Sequence, residues 1–156
     1  MTETSYNNSI IINAKPATVW EALTDPQLMA KWMAETEIEI ITGWHVGSSI
    51  IIQGDLHGIP FENTGHVLQF EPEKLLRYSH LSSLSNLPDE IESYSVIEFS
   101  LQPKGKETVL TVTLNNFPTD AIYMHLVFYW SVTLEMLKEF IERYETKLPP
   151  DVNSHC

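Results

Sequence analysis

Cysteine is almost missing from this chain of 156 residues, and its scarcity excludes several kinds of protein. The single thiol belongs to Cys156, so no internal disulfide can form and no thiolate metal cluster can be built. The six histidines are scattered, and no His-Glu-x-x-His helix is present. Asp55 and His57 lie close in sequence, but the glycines beside them favour a turn. We therefore expect neither a metal nor a cofactor.

Glycine is also sparse, with six residues, and none of the glycine-dependent catalytic motifs occurs. The sequence has no glycine-rich phosphate loop and no Gly-x-Ser-x-Gly elbow, so nucleotide binding and nucleophilic acyl transfer lack support. Glu92 and Glu98 share one side of a predicted strand, but that side alternates with apolar residues and is expected to face water. A paired general acid and base needs burial and tuned pKa values, which this position does not offer.

Positive charge is scarce, since nine Lys and Arg stand against 21 Asp and Glu, for a formal net charge of −12. Phosphate groups attract clustered cations and are repelled by such a surface, which argues against nucleic acid or anionic lipid as a partner. Residues 1–5 lack the basic start of a secretion signal, so the sequence predicts a cytoplasmic protein. The longest apolar stretch, residues 121–134, is shorter than the roughly 20 residues that a membrane span requires, and we expect no stable membrane insertion.

The chain is rich in residues that can form a hydrophobic core, with 43% hydrophobic residues and four tryptophans. A length of 156 residues fits one domain, which at this size buries roughly 70% of the surface of its unfolded form. We predict a single domain over residues 1–148, followed by a flexible tail at residues 149–156.

The most informative segment, residues 14–32, predicts two short helices directly after a strand. Pro16 suits a first helical turn, because its φ is already helical and its missing N–H costs nothing there. Apolar residues then recur at helical spacing, and Asp25 with Pro26 ends one helix and begins the next, with Asp25 as the N-cap. Helices of two turns are unstable alone in water, so both must pack on a larger surface.

Alternation of apolar and polar residues predicts six or seven antiparallel strands. The candidates cover residues 9–13, 37–41, 49–55, 61–70, 75–82, 93–102 and 108–115. Short polar connectors at residues 71–74 and 103–106 are typical of hairpins. Residues 84–92 form a longer loop, which we expect to cover a ligand entrance.

The helical period returns from residue 119 or 120 to about residue 144. Leu126, Trp130, Thr133 and Leu137 form one stripe of this long helix, opposite a charged face. Residues 122–134 contain no Asp, Glu, Lys or Arg, which predicts burial on two sides. We expect one side on the sheet and the other against the 84–92 loop or a second subunit, which makes a homodimer possible.

The segments AKPATVWEALTDPQLMAKW (residues 14–32) and GHVLQFEPEKLLRY (residues 65–78), with the closing helix over residues 128–142, together resemble the START-like (SRPBCC) superfamily. Within it, they are similar to the AHSA-type branch, related to the activator of the heat-shock-chaperone ATPase. The resemblance implies an α+β helix-grip fold, as in the birch allergen, with a curved antiparallel sheet of six to seven strands around a long C-terminal helix and two short helices after strand 1. It also implies a hollow between sheet and helix.

Strand parity and the helix stripe select residues for this hollow. Tyr78 and His80 share one side of a strand, which the resemblance turns toward the cavity, where the His80 imidazole would hydrogen-bond a ligand or act as a base. Later strands carry apolar inward sides, with Ile97 and Phe99 on one of them. The candidate ligand-binding residues are Trp44, Tyr78, His80, Phe99, Leu126, Tyr129, Trp130 and Thr133.

Three functions stay open at this point. The first is a small soluble protein that binds an apolar or amphipathic small molecule in the hollow, without a cofactor. The second is a cavity enzyme with cyclase-, hydratase- or hydrolase-like chemistry that uses His80 and Tyr78. The third is a protein-interaction module that resembles the chaperone-ATPase activators.

Overall fold

A seven-stranded antiparallel sheet and one long helix account for most of the structure, a computed structural model that describes residues 5–34, 37–56 and 58–147. Two short helices and a pair of 3-10 turns complete it, the turns at Ser83–Ser85 and Ile91–Ser93. The strands are β1 Ser5–Ile12, β2 Ile38–Thr42, β3 Ser49–Leu56, β4 Ile59–Glu71, β5 Leu75–Ser82, β6 Ser95–Lys104 and β7 Glu107–Asn115. The helices are α1 Pro16–Thr24, α2 Pro26–Trp32 and α3 Asp120–Lys147. The expected helix-grip architecture is confirmed.

The strands are arranged in the order β1-β7-β6-β5-β4-β3-β2, so every hairpin from β2 to β7 joins neighbours and β1 closes onto β7. All pairs are antiparallel. The register of β4 on β5 shifts between Val67 and Gln69, and a bulge of this kind bends a sheet and increases its twist. Gly65 lies just before the bulge, where an added Cβ would come 1.7 Å from the Ser79 carbonyl oxygen. The two strands therefore approach at a point that only glycine permits.

The two short helices begin and end as their residues predict. Pro16 occupies the first turn of α1, and Pro26 occupies the first turn of α2. Asp25 separates them in an extended conformation, and its carboxylate accepts a hydrogen bond from the Gln27 N–H at 2.9 Å. The predicted N-cap is therefore confirmed. Trp32, which is buried, donates from Nε1 to the Ala22 carbonyl oxygen at 2.8 Å and joins the two helices.

The core lies between the concave face of the sheet and α3. Strand alternation places one side of β6 and of β7 in this core, as the sequence predicts. The helix contributes residues from a single stripe. The fully buried members of both surfaces include Phe99, Leu110, Val112, Leu114, Trp130, Leu134, Leu137 and Ile141.

The C-terminal half of α3 is fixed to the segment between β1 and α1. Glu142 accepts a hydrogen bond from the Asn13 N–H at 2.8 Å. Glu145 accepts one from the Thr18 hydroxyl at 2.6 Å and one from the Lys15 N–H at 3.1 Å. These contacts join residues far apart in sequence, so they set the position of the helix relative to the sheet.

The expectation of two-sided burial for residues 122–134 is wrong within a single chain. Met124, Phe128 and Val132 are 68%, 69% and 45% exposed on the face of α3 that points away from the sheet. The loop after β5 leaves this face open, because Leu84 points to the other side of the helix, toward the cavity described below. An apolar face of one helix is thus left uncovered.

The strand limits differ from the prediction by up to four residues at the start of β1, which begins at Ser5 instead of residue 9. Helix α3 continues to Lys147, beyond the predicted end near residue 144. The predicted tail at residues 149–156 lies outside the described residues, and the single domain over residues 1–148 stays a prediction. Within the described parts of the chain, no helix has the length and apolar character needed to cross a membrane.

Candidate functional site

A cavity of about 280 Å³ lies between the concave face of the sheet and the N-terminal half of α3. Its wall combines apolar side chains with a small number of polar ones. The described residues of the wall are Met33, Ala34, Ile38, Ile52, Phe61, Asn63, Tyr78, His80, Ser82, Leu84, Ile97, His125, Leu126, Tyr129 and Trp130. Known ligand cavities typically measure about 300–1,000 Å³, and this one, just below that range, suits a small molecule of few atoms.

The sheet side of the wall follows from strand alternation. Tyr78, His80 and Ser82 lie two residues apart on β5, so all three point to the same face. Phe61 and Asn63 do the same on β4. Because β4 and β5 are neighbours, Asn63 stands opposite Ser82 in the register. One end of the cavity therefore gathers several polar side chains from two adjacent strands.

The helix side of the wall comes from one face of α3, where His125, Leu126, Tyr129 and Trp130 recur at a spacing of four. The Tyr129 hydroxyl donates to the Met33 carbonyl oxygen at 2.6 Å, which attaches α3 to the end of α2. The ring of Tyr129 meets that of Trp130 edge to face at a centroid distance of 5.1 Å. These contacts hold the two aromatic side chains in fixed orientations beside the cavity.

Three titratable groups of the wall, Tyr78, His80 and Tyr129, are kept neutral near pH 7. Burial, helped by the nearby His125, lowers the pKa of His80 to about 4. Burial raises the pKa of Tyr129 to about 12, and burial followed by the proximity of Tyr129 raises the pKa of Tyr78 above its usual range. No Asp, Glu, Lys or Arg occurs among the described wall residues. The cavity therefore suits an uncharged ligand.

A smaller chamber of about 40 Å³ adjoins the cavity and shares His80, Ser82, His125 and Leu126 with it. Ser85, Ser93 and Ser95 complete its polar lining. Ser93 and Ser95 are 6% and 1% exposed, so their hydroxyl groups lie deep in the protein. A space of this size holds about one water molecule, whose share of liquid volume is roughly 30 Å³.

Two polar atoms in the wall of the 280 Å³ cavity are buried without a hydrogen-bond partner among the described residues. They are Asn63 Oδ1 and Trp130 Nε1. Trp130 packs edge to face on Phe99 at a centroid distance of 5.2 Å, so its indole lies among rings instead of hydrogen-bond acceptors. Burial of an unpaired donor or acceptor costs about 1–3 kcal/mol, so such atoms are rare in native proteins and a ligand or water that pairs with them would remove the cost.

Five of the predicted site residues lie in the cavity wall, namely Tyr78, His80, Leu126, Tyr129 and Trp130. Three others lie outside it. Phe99 is buried behind Trp130, and Thr133 is buried one turn further along α3. Trp44 has a positive φ of 51°, its indole N–H donates to the Thr24 carbonyl oxygen, and its ring stacks on Phe70. Trp44 thus packs near the end of α1, away from the cavity.

Sequence reasoning missed the part of the wall that comes from β3 and β4. Ile52 and Phe61 belong to the inward sides of their strands, and alternation in those segments would have selected them. Asn63, Ser82 and Ser95 share strand parity with inward residues, so alternation places them inside as well. Sequence reasoning passed over them because polar residues in a strand ordinarily indicate a solvent-facing side.

The other titratable candidates do not form a second site. Glu98 lies on the outer face of β6 and pairs with Arg77 at 2.5 Å. The Asp55 carboxylate accepts a hydrogen bond from the Gly58 N–H, which is the turn that the glycines predict, and His57 lies outside the described residues. Within the described ranges, no group of three or more His, Cys, Asp or Glu is placed to hold a metal ion.

A larger depression of about 520 Å³ lies over β2, β3 and β4, but it is a groove open to solvent. Its lining includes the acidic residues Glu37, Glu39 and Glu62. Such a surface cannot exclude water from an apolar molecule. The cavity beneath α3, which is less open to solvent, is therefore the better candidate.

The curved sheet, the gripped helix and the cavity between them define a START-like domain. The family model described as Activator of Hsp90 ATPase homolog 1-like protein matches residues 13–142, and the chain belongs to this family.

Solved structures agree with this assignment. A protein from Cytophaga hutchinsonii is 32% identical, with 92% of this chain and 98% of that chain covered and a TM-score of 0.76. The Aha1 dimer from Colwellia psychrerythraea is 26% identical, with 90% and 97% covered and a TM-score of 0.70. CalU16 from Micromonospora echinospora is 23% identical, with 88% and 75% covered and a TM-score of 0.68, and shows the fold alone. A search of curated proteins gives no match.

Proposed function

We propose that this protein binds an uncharged apolar or amphipathic small molecule in the cavity beneath α3. The observation that carries the proposal is the cavity of about 280 Å³, with a wall of apolar and aromatic side chains and a few polar groups at one end. Apolar cavities of about 150 Å³ accept benzene, so a space about twice as large suits a molecule of two fused rings or a short branched chain.

A catalytic role for His80 and Tyr78 is less well supported. Both side chains reach the same cavity, as an enzyme that uses them would require. A general base works best when its pKa lies near the operating pH, whereas the pKa of His80 is lowered to about 4 and that of Tyr78 is raised. At neutral pH these groups donate and accept hydrogen bonds better than they transfer protons. Ligand binding is thus the function that the geometry favours.

The experiment that tests the proposal compares the bound ligand in two matched variants of α3. Native mass spectrometry and organic extraction of the purified protein identify any molecule carried from the cell. Leu126→Trp fills the cavity, because Leu126 is in its wall, whereas Val132→Trp adds the same group to the exposed face of the same helix. We expect Leu126→Trp to remove the ligand and Val132→Trp to retain it.

Thermal denaturation keeps this comparison informative. Both variants should unfold cooperatively, since a tryptophan has room in an empty cavity and on an exposed face. A folded Leu126→Trp protein that carries as much ligand as the wild type would place the ligand elsewhere and overturn the proposal.

We also propose that two copies associate through the exposed face of α3. Met124, Phe128 and Val132 follow one another at a spacing of four, and residues 122–134 contain no charge that would oppose contact between two chains of net charge −12. The relative from Colwellia psychrerythraea is described as a dimer. Light scattering over a range of protein concentrations measures the association directly, and a constant monomer mass up to millimolar concentration would contradict it.

The chaperone interaction expected from the resemblance stays a prediction. Its test is a pull-down with the chaperone together with a measurement of ATP hydrolysis.

A further inference from the structure

The cavity and the smaller chamber differ in chemistry, and the difference points to an orientation of the ligand. The large cavity is lined mostly by apolar and aromatic groups such as Ile52, Ile97 and Trp130. The chamber is lined by His80, His125 and four serines, with Leu81, Ile122 and Leu126 as its apolar members. Since the two spaces share part of their walls, one molecule with a polar end and an apolar body would fill both.

Two of the four serines already use their hydroxyl groups within the loop after β5. Ser82 Oγ accepts a hydrogen bond from the Leu84 N–H at 3.2 Å. The Ser85 hydroxyl donates to the Ser82 carbonyl oxygen at 2.7 Å and accepts from the Leu87 N–H at 3.2 Å. These bonds shape the loop around the chamber and leave little capacity for a ligand.

Ser93 and Ser95 are different, because their hydroxyl groups take no part in the hydrogen bonds of Ser82 and Ser85 that shape the loop. Both residues are more than nine-tenths buried, and both line the chamber. A buried hydroxyl group normally finds a partner. Ser95 also stands opposite His80 in the pairing of β5 with β6, so a hydroxyl group and an imidazole face the same small space from adjacent strands.

The charges around the two spaces decide what kind of polar group fits. No Lys or Arg lies among the described residues of either lining, so a buried anion would have no partner. The formal net charge of −12 opposes an anionic ligand further. Serine hydroxyls and imidazoles both donate and accept, which suits a neutral group such as a hydroxyl or a carbonyl.

We infer that the chamber lined by Ser93, Ser95 and His80 binds the uncharged polar head group of the ligand, a hydroxyl or carbonyl, while the apolar body lies against Ile97 and Trp130. This inference rests on the proposed function and adds the orientation and the chemical class of the ligand. The class is neutral alcohols, phenols and carbonyl compounds of about two rings, in contrast to the fatty or aromatic carboxylates of similar size.

A series of three probes tests the inference by isothermal titration calorimetry at pH 7. The probes are 2-naphthol, 2-naphthoate and 2-methylnaphthalene, which share one ring system and differ in having a neutral polar, an anionic or an apolar substituent. We expect 2-naphthol to bind at least tenfold more tightly than 2-naphthoate.

Ser95→Ala and Ser100→Ala form a matched pair for the same titrations, because both serines lie on β6 but on opposite faces. Loss of one neutral hydrogen bond corresponds to about a five- to tenfold loss of affinity. We expect Ser95→Ala to weaken 2-naphthol by this factor and to leave 2-methylnaphthalene unchanged, whereas Ser100→Ala changes neither. Ser93→Ala repeats the test at the other buried serine of the chamber.

The possible results distinguish a failure of the head-group assignment from a failure of the small-molecule proposal. If all three probes bind but 2-naphthoate binds most tightly, or if neither Ser95→Ala nor Ser93→Ala weakens 2-naphthol, the head-group assignment is wrong and the cavity remains a binding site. If none of the probes binds and no ligand is extracted from the protein, the small-molecule proposal fails and the head-group assignment fails with it.

Discussion

The stability of the fold should depend on pH through His80. Burial and the neighbouring His125 lower the pKa of His80 to about 4 from the ordinary value of 6.5. Between these two pH values the unfolded chain binds a proton that the folded chain does not, so the free energy of unfolding falls as the pH is lowered. Above pH 6.5 both states are neutral at this position, and the full stability is present.

The size of the effect follows from the same two pKa values. Each pH unit between them removes up to about 1.4 kcal/mol, and integration from pH 7.5 to pH 5 gives a loss of about 2 kcal/mol. Domains of this kind have a total stability of about 5–15 kcal/mol, so the loss is readily measured. Tyr78, Tyr129 and His125 are the other titratable groups at this position, and the two tyrosines stay protonated throughout this range.

The assay is urea denaturation of the wild type and of His80→Gln at pH 7.5 and at pH 5. Carboxylates elsewhere contribute equally to both proteins, so the difference between their pH dependences isolates His80. We expect the wild type to lose about 2 kcal/mol more than the variant between the two pH values. His66→Gln, at an exposed histidine of β4, controls for the substitution itself. Equal pH dependence of the wild type and His80→Gln would refute the reasoning.

Two further substitutions test the sheet and the exposed helix face. Gly65→Ala places a Cβ about 1.7 Å from the Ser79 carbonyl oxygen, so the strands must separate. We expect urea denaturation to show that the free energy of unfolding falls by at least about 3 kcal/mol. A melting temperature like that of the wild type would contradict the close approach. Phe128→Glu puts a charge in the middle of the apolar face of α3, and we expect at least a tenfold weaker association in light scattering. Thr146→Glu, on an exposed position of the same helix, should leave association unchanged.

The order of the helices and strands was predictable because each depends on local patterns. The alternation that buries Ile97, Phe99 and Leu101 is visible in the sequence, and so is the Asp25 cap between α1 and α2. The start of β1 was not visible, because Asn7 and Asn8 interrupt its apolar pattern. These residues become part of a strand through pairing with β7.

The cavity was predictable in outline and not in detail. A hollow between sheet and helix follows from the fold, and the aromatic residues of α3 that border it lie on a regular stripe. The polar end of the site was missed because Asn63, Ser93 and Ser95 are polar residues, which ordinarily face water, and their meeting at one chamber depends on which strands are neighbours. Trp44 was predicted in the cavity because its residue type fits a ligand site. Its backbone is left-handed, and its ring lies elsewhere.

The attachment of α3 to the segment around Asn13 and Thr18 has a consequence for synthesis of the protein. A ribosome delivers the strands first, and the helix that covers their concave side is made only after residue 119. Until then the part of the concave face that α3 covers is exposed, because α1 and α2 pack on only part of the core. A polypeptide that stops before α3 is therefore expected to aggregate or to be bound by chaperones, whereas a chain that includes α3 buries this surface.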